Sequence, residues 1–142
     1  FGFSLLILSI LFNNIFSSEI ITNLKVGEKY NNKDFQIDFK DLRKFEQKNF
    51  ISFKGYFLIK ENEIENKLEP ELRVYNQPNI TTSEAAIKTS LFTDKFITMN
   101  TVHNEEYFNI RYQVKPFMLW IWISVLLITF GGILSLFNRI KL

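Results

Sequence analysis

The chain has 142 residues, 46% of them apolar, and a formal net charge of +2, which is the size of about one compact domain. Residues 17–116 carry 15 Lys and Arg against 15 Asp and Glu, so they lack the basic excess that a nucleic-acid partner requires. The absence of cysteine excludes disulfides, thiol catalysis and cysteine-ligated metals.

The first apolar run, Phe1 to Phe16, is interrupted by Asn13 and Asn14 after 12 residues. Twelve helical residues extend roughly 18 Å, which is too short to cross the hydrocarbon core of a membrane. The run is therefore either the core of a signal peptide or the outer end of a transmembrane helix that starts upstream. A signal peptide needs a positive region ahead of its apolar core, and the first lysine is Lys25. We favour the truncated transmembrane helix for residues 1–16.

Apolar and polar residues alternate with a period of two in several segments of residues 17–116. Clear examples are Phe35 to Phe39 and Phe108 to Val114, in which every second side chain is apolar. Phe50 to Ile59 is a longer β-rich run interrupted by Gly55, where we expect a bulge. The pattern predicts an antiparallel β-rich outer domain, either a sandwich or a partly open barrel.

One segment breaks this alternation. Thr81-Thr82-Ser83-Glu84 contains the Thr-x-x-Glu spacing of a helix capping box, and the stretch that follows, residues 85–91, can continue as a helix. The sequence therefore predicts a short helix near residues 83–91.

The only histidine, His103, lies in the polar stretch from Asn100 to Glu106, which we interpret as a loop. A metal site needs several ligands at suitable spacing, and no second histidine, cysteine or carboxylate spacing completes one here. We interpret His103 as an ordinary solvated loop residue, and the sequence predicts no metal site.

The segment from Phe117 to Phe137 contains 21 residues without an ionisable side chain. As a helix it extends roughly 31 Å, which is enough to cross the hydrocarbon core. The segment therefore predicts a transmembrane helix, and it excludes a soluble cytoplasmic globule.

The residues around this segment predict its orientation. Trp120 and Trp122 lie near its start, where indole rings favour the headgroup level, and a short basic tail, residues 138–142, follows its end. By the positive-inside rule we expect this tail on the cytoplasmic side and residues 17–116 on the outer side.

Five short motifs follow one another through the second half of the chain. They are Glu71-x-Arg73-x-Tyr75, Thr81-Thr82-Ser83-Glu84-Ala85-Ala86-Ile87, Lys115-Pro116-Phe117-x-x-Trp120-Ile121-Trp122, Gly131-Gly132 and Phe137-x-Arg139. In order and spacing they resemble the C-terminus of the CcmF family of cytochrome c haem lyases. The second motif departs from the family form, Thr-Thr-Glu-Ala-Ala-Ile, because Ser83 is one extra residue. The resemblance covers essentially the whole chain.

The resemblance implies a multi-pass membrane protein that binds haem and attaches it through thioether bonds to the Cys-x-x-Cys-His motif of apocytochrome c. It also implies three kinds of protein partner: apocytochrome c, a haem-carrying chaperone, and other membrane subunits of cytochrome c maturation. The implied location is the bacterial inner membrane, with residues 17–116 in the periplasm, or the mitochondrial inner membrane. The haem-ligating histidines of the family would lie upstream of Phe1, so the resemblance assigns no catalytic residue to this chain.

Six residues in these motifs are candidates for contact with haem or a partner: Arg73, Tyr75, Glu84, Lys115, Trp120 and Trp122. Arg73 and Glu84 can form a buried ion pair, and Lys115 can meet a haem propionate, because opposite charges attract strongly only where water is scarce. The alternative is that the charged groups lie on a solvated strand face and that the tryptophans anchor the chain at the membrane interface.

We predict that the chain is a scaffold and docking surface in a haem lyase subunit. The alternative is a non-catalytic, membrane-anchored assembly module whose β domain binds a partner protein. The sequence leaves open whether the chain itself acts as an enzyme.

Overall fold

The computed structural model describes residues 1–62, 64–102 and 106–140, with side chains up to residue 137. It divides into a helical unit, with residues 1–18, 89–95 and 114 onwards, and a β unit, with residues 19–88 and 96–113. The elements in chain order are α1 Gly2–Phe16, β1 Ser18–Leu24, β2 Lys29–Asn31, β3 Gln36–Glu46, β4 Phe50–Glu61, β5 Ile64–Leu68, β6 Glu71–Asn76, β7 Asn79–Glu84, β8 Ala86–Thr89, β9 Thr93–Thr101, β10 Phe108–Pro116 and α2 Met118–Ile140.

The strands form two sheets. One has four strands in the order β1-β10-β9-β8, and the other has six, in the order β2-β3-β4-β6-β7 with β5 also paired to β4. The strand pairs of the six-stranded sheet are antiparallel. Strand β4 lies at its centre, because its first half pairs with β6, its second half pairs with β5, and β3 runs along its other side.

The apolar core of the β unit comes from alternate residues of both sheets, as the period of two predicts. The Phe39 ring stacks on the Phe57 ring of the same sheet at 4.3 Å between centroids, and it meets Phe108 of the other sheet edge-on at 5.7 Å. The fully buried core residues also include Ile37, Ile59, Ile97, Met99 and Ile110. The predicted antiparallel β-rich fold is thereby confirmed.

The predicted helix near residues 83–91 is wrong, because this segment forms β7 and β8, the edge strands of the two sheets. The carboxylate of the predicted capping box, and the hydroxyl of the residue before it, bind other strands instead. The Glu84 carboxylate pairs with Arg73, and the Ser83 hydroxyl donates to the Met99 carbonyl at 2.7 Å. A helix of two turns is marginal by itself, so pairing with β6 decides the conformation.

The predicted bulge at Gly55 is also wrong, since the irregularity lies on β3, where Lys40 is the extra residue. Glycine is needed at position 55 for a different reason. A Cβ atom there would lie 2.7 Å from Cε2 of Phe57 and 3.0 Å from Sδ of Met99. Gly55 therefore leaves the space that two core side chains occupy.

In the helical unit, α1 and α2 pack against each other in an antiparallel arrangement. The Phe12 and Phe117 rings are 5.2 Å apart at one end of the contact. At the other end, a Cβ atom on Gly2 would lie 3.0 Å from Cγ1 of Ile128. Ser9, the buried residue of α1, donates its hydroxyl to the Leu5 carbonyl of the same helix at 2.8 Å. The small residues at positions 2 and 9 allow a close approach of the helices.

Within the described residues, one helix is long and apolar enough to cross a membrane, judged by length and composition: Met118–Phe137. Helix α1 is apolar, but its 15 residues are shorter than a membrane span requires. Of the two predicted transmembrane helices, the structure confirms one apolar helix of sufficient length.

Candidate functional site

The structure brings together three of the six candidate residues on the outer sheet face, by which we mean the face of the six-stranded sheet directed away from the apolar core. In the strand register, Arg73 lies opposite Thr82, and Glu71 lies opposite Glu84. The Arg73 guanidinium donates from Nε to Oε1 of Glu71 at 2.8 Å and from Nη2 to Oε2 at 3.3 Å, and its Nη1 pairs with Glu84. Arg73 thus bridges two carboxylates.

Two aromatic rings border this arrangement. The Arg73 guanidinium lies 5.2 Å from the centroid of the Phe50 ring, and the Tyr75 ring is also 5.2 Å from Phe50. The side chain of Arg73 is 28% exposed and that of Glu71 is 18% exposed, whereas Glu84 is more open at 45%. We name Phe50, Glu71, Arg73, Tyr75 and Glu84 the Arg73 cluster.

The pairing of Glu71 with Arg73 keeps both side chains charged near neutral pH. Hydrogen bonding from Arg73 holds the pKa of Glu71 below its usual value despite partial burial, and the hydroxyl of Ser52 contributes to this. Hydrogen bonding to Glu71 in turn raises the pKa of Arg73. With two carboxylates and one guanidinium, the cluster carries a formal charge of −1, so it can hold or orient a polar partner.

The Arg73 cluster does not fit a haem group. Haem iron is held by His, Cys, Met or Tyr. The cluster offers only Tyr75, whose hydroxyl interacts with Arg73. Its net negative charge would also repel the haem propionates. Among the described residues, no group of three His, Cys, Asp or Glu side chains could hold a metal ion. His103 lies outside the described residues.

The remaining candidates, Lys115, Trp120 and Trp122, belong to the helical unit. The Trp120 indole donates from Nε1 to the Leu91 carbonyl at 2.9 Å and stacks on Phe92, with 6.2 Å between ring centroids. Trp122 is 65% exposed, and Lys115 is half-buried on β10. The two tryptophans therefore differ, because Trp120 is fixed by packing and only Trp122 has the exposure of a membrane-interface anchor.

Trp120 also borders an apolar cavity of 160 Å3 within the helical unit. The start of α2 next to this cavity is held by the backbone N–H of Phe117, which donates to the Phe92 carbonyl at 2.7 Å, and by Asn13 Nδ2, which donates to the Pro116 carbonyl at 2.6 Å. Phe117 has φ of +59°, a left-handed conformation that costs energy in a residue with a side chain. Pro116 is the last residue of β10.

Sequence reasoning did not identify Glu71 and Phe50 as parts of the site. Glu71 was detectable, because residues two apart on a strand share a face and Glu71-x-Arg73 therefore places a carboxylate beside the guanidinium. Phe50 comes from β4, and its position opposite Tyr75 depends on strand register. A single sequence gives no signal for that pairing.

Known proteins resemble this chain in sequence and in fold. Residues 15–116 match the family model described as the CcmF C-terminal β-sandwich. The chain is 30% identical over 139 residues to the cytochrome c-type biogenesis proteins CcmF of Pseudomonas fluorescens and Haemophilus influenzae. These alignments cover 97% of the chain but only 21% and 22% of those proteins, so the chain spans about a fifth of their length.

A solved structure, Cytochrome c Heme Lyase CcmF, is similar with a TM-score of 0.73 over 94% of this chain and 22% of that one. The sequence identity in this comparison is 17%, so the similarity concerns the fold.

Proposed function

The chain belongs to the CcmF family, and from this premise we propose that it is the C-terminal part of a cytochrome c haem lyase subunit. The observation that carries the proposal is the match of residues 15–116 to the family's C-terminal β-sandwich. The two-sheet architecture and the similarity to a solved CcmF fold agree with it. In the complete subunit, each apocytochrome thiol would add its S–H across a haem vinyl group to form a thioether.

In this proposal the chain supports the reaction and does not perform it. Relatives are about five times as long, and the haem ligands would lie in the remaining part. The Arg73 cluster has the polarity and partial exposure of a protein-docking surface rather than of a haem site. We assign it to contact with apocytochrome c, a haem-carrying chaperone or another maturation subunit, with haem as the ligand of the whole subunit.

The proposed topology follows from the apolar segments. Residues 117–137 cross the membrane, and residues 1–16 end a second membrane helix. Residues 17–116 then face the periplasm of a bacterial inner membrane or the equivalent side of the mitochondrial inner membrane, and residues 138–142 form the tail on the opposite side.

The test is Arg73→Ala in the complete subunit, with covalent haem on a reporter cytochrome c as the measurement. Arg111→Ala is the matched control, because Arg111 also forms an ion pair on a strand, with Glu19. We expect less covalent haem per molecule of subunit in Arg73→Ala and an unchanged amount in Arg111→Ala. Immunoblots correct for abundance, since a destabilised variant loses activity through degradation. Equal haem attachment in both variants contradicts the proposed role of the cluster.

A second candidate function is a partner-binding β module without a catalytic role. It is favoured by the Arg73 cluster itself, a partly exposed group of charged and aromatic side chains in which Arg73 lowers the pKa of Glu71 and keeps it ionised. The gene sequence upstream of Phe1 separates the two functions. Many further apolar segments with histidines support the lyase, whereas a nearby start codon supports the module.

A further inference from the structure

A second surface of the β unit, distinct from the Arg73 cluster, is a groove on the outer sheet face across β3, β4 and β5. It has a volume of 490 Å3. Three cations (Lys40, Arg43 and Lys67) and three carboxylates (Asp41, Glu65 and Glu69) line it, together with Tyr56 and Leu58. The extra residue in β3, Lys40, lies at its edge, and bulges of this kind bend and twist the strand that carries them. We name this surface the β3–β5 groove.

The floor of the groove is apolar. Leu58 lies between Asp38 of β3 and Lys67 of β5 in the strand register. Tyr56 lies beside it in the same lining, with the Arg43 guanidinium 4.8 Å from the centroid of its ring.

The carboxylates around the groove already have cationic partners. The ion pairs are Asp41 with Arg43 at 3.0 Å, Glu65 with Lys60 at 2.6 Å and Glu69 with Lys54 at 3.7 Å. Hydrogen bonding from Lys60 lowers the pKa of Glu65, so this carboxylate stays ionised and its pair stays neutral. These three pairs contribute no net charge to the groove.

Among the described residues, two positive charges are in excess around the groove. Asp38, with a side chain only 3% exposed, is shared by Lys40 at 2.6 Å and Lys29 at 3.4 Å, so one carboxylate faces two cations. Burial raises the pKa of Asp38, but the hydrogen bond from Lys40 and the two positive charges outweigh it and leave the pKa lowered. Lys67 forms no ion pair with any carboxylate in the described part of the chain. The lining itself is balanced, and the ion-pair partners around it, Lys29, Lys54, Lys60 and Asp38, bring the formal charge of the groove and its rim to +2 among the described residues.

We propose that the β3–β5 groove binds an acidic peptide segment of a partner protein, with an apolar or aromatic side chain on Tyr56 and Leu58 and flanking carboxylates at Lys40 and Lys67. The inference rests on charge and shape and is independent of the haem lyase assignment. A densely charged polyanion or anionic membrane surface fits less well, because the paired carboxylates of the rim would repel a continuous negative surface.

The probe is a fluorescein-labelled Glu-Glu-Phe-Glu-Glu peptide, titrated with the intact protein in nanodiscs of phosphatidylcholine and followed by fluorescence anisotropy. A Gln-Gln-Phe-Gln-Gln peptide is the uncharged control. We expect tighter binding of the acidic peptide, an affinity that falls as salt is added, and about 5-fold weaker binding to Lys67→Glu. Lys88→Glu, an exposed lysine on β8 outside the groove, should bind as the unmodified protein does.

Three results overturn the proposal: equal binding of both peptides, equal affinity of Lys67→Glu and the unmodified protein, or the same loss in Lys88→Glu. Binding to phosphatidylserine vesicles in preference to the peptide also overturns the proposal and assigns the surface to the membrane. Circular dichroism verifies folding, and if Lys67→Glu is unfolded then Lys67→Gln decides, with a smaller loss of affinity expected.

Discussion

Replacing Gly55 by alanine tests how tightly the two sheets of the β unit pack. The new Cβ atom would lie 2.7 Å from Cε2 of Phe57 and 3.0 Å from Sδ of Met99, closer than carbon and sulfur atoms can approach without displacement. Overpacking of a core typically costs about 1–3 kcal/mol. The reduced freedom of the unfolded chain offsets about 0.4–1 kcal/mol of this. We expect the free energy of unfolding to fall by about 1–2 kcal/mol.

A double-mutant cycle with Phe57→Leu separates steric overlap from other effects of the substitution. Leucine lacks the ring atom closest to position 55, so Gly55→Ala should cost less in the Phe57→Leu background than in the unmodified protein. Urea unfolding of the β unit within the intact protein, followed by near-ultraviolet circular dichroism, measures both costs. An identical cost in the two backgrounds would refute the steric explanation.

Three further outcomes are expected. Ile110→Asp places an unpaired charge in the core and should lower the free energy of unfolding by several kcal/mol. Gln113→Asp, on the opposite face of the strand, should leave it nearly unchanged. Equal levels of the two variants in membranes would contradict the assignment of these residues to opposite faces. Because the pKa of Glu71 is lowered by folding, its contribution to stability is present above its ordinary pKa of 4.5 and is lost as the pH falls through the lower folded value. In Arg73→Gln the pKa of Glu71 should rise, and an unchanged NMR titration of this carboxyl would count against the pairing. A membrane-impermeant lysine reagent should label residues 17–116 in right-side-out vesicles, and labelling only after lysis would reverse the proposed topology.

The strands of the core were the part of the fold most open to prediction. In β10, Phe108, Ile110 and Tyr112 alternate with polar residues, and the structure buries these three side chains. A period of two is a local property, so one sequence suffices to show it. Sheet order is not local: β5 and β6 share the same side of β4, and no feature of their sequences specifies that arrangement.

The helix near residues 83–91 was mispredicted because a capping box indicates only a local preference of the backbone. The Glu84 carboxylate of the box and the hydroxyl of the neighbouring Ser83 find partners on other strands once the sheets assemble. A two-turn helix is marginal by itself, whereas β7 and β8 gain backbone pairing with a neighbouring strand at the edge of each sheet.

Contacts between strands, which the sequence does not reveal, also decide which charges on the outer sheet face remain available to a partner. Charge counting along the sequence gives balanced positive and negative residues throughout this region, and it cannot separate the Arg73 cluster from the β3–β5 groove. The contacts do separate them. In the cluster, one guanidinium is held by two carboxylates, which leaves a surplus of −1. In the groove, one nearly buried carboxylate is shared by two lysines while Lys67 adds a further positive charge. One sheet face therefore presents two surfaces of opposite sign, and a partner with an acidic and a basic segment would bind in a single orientation.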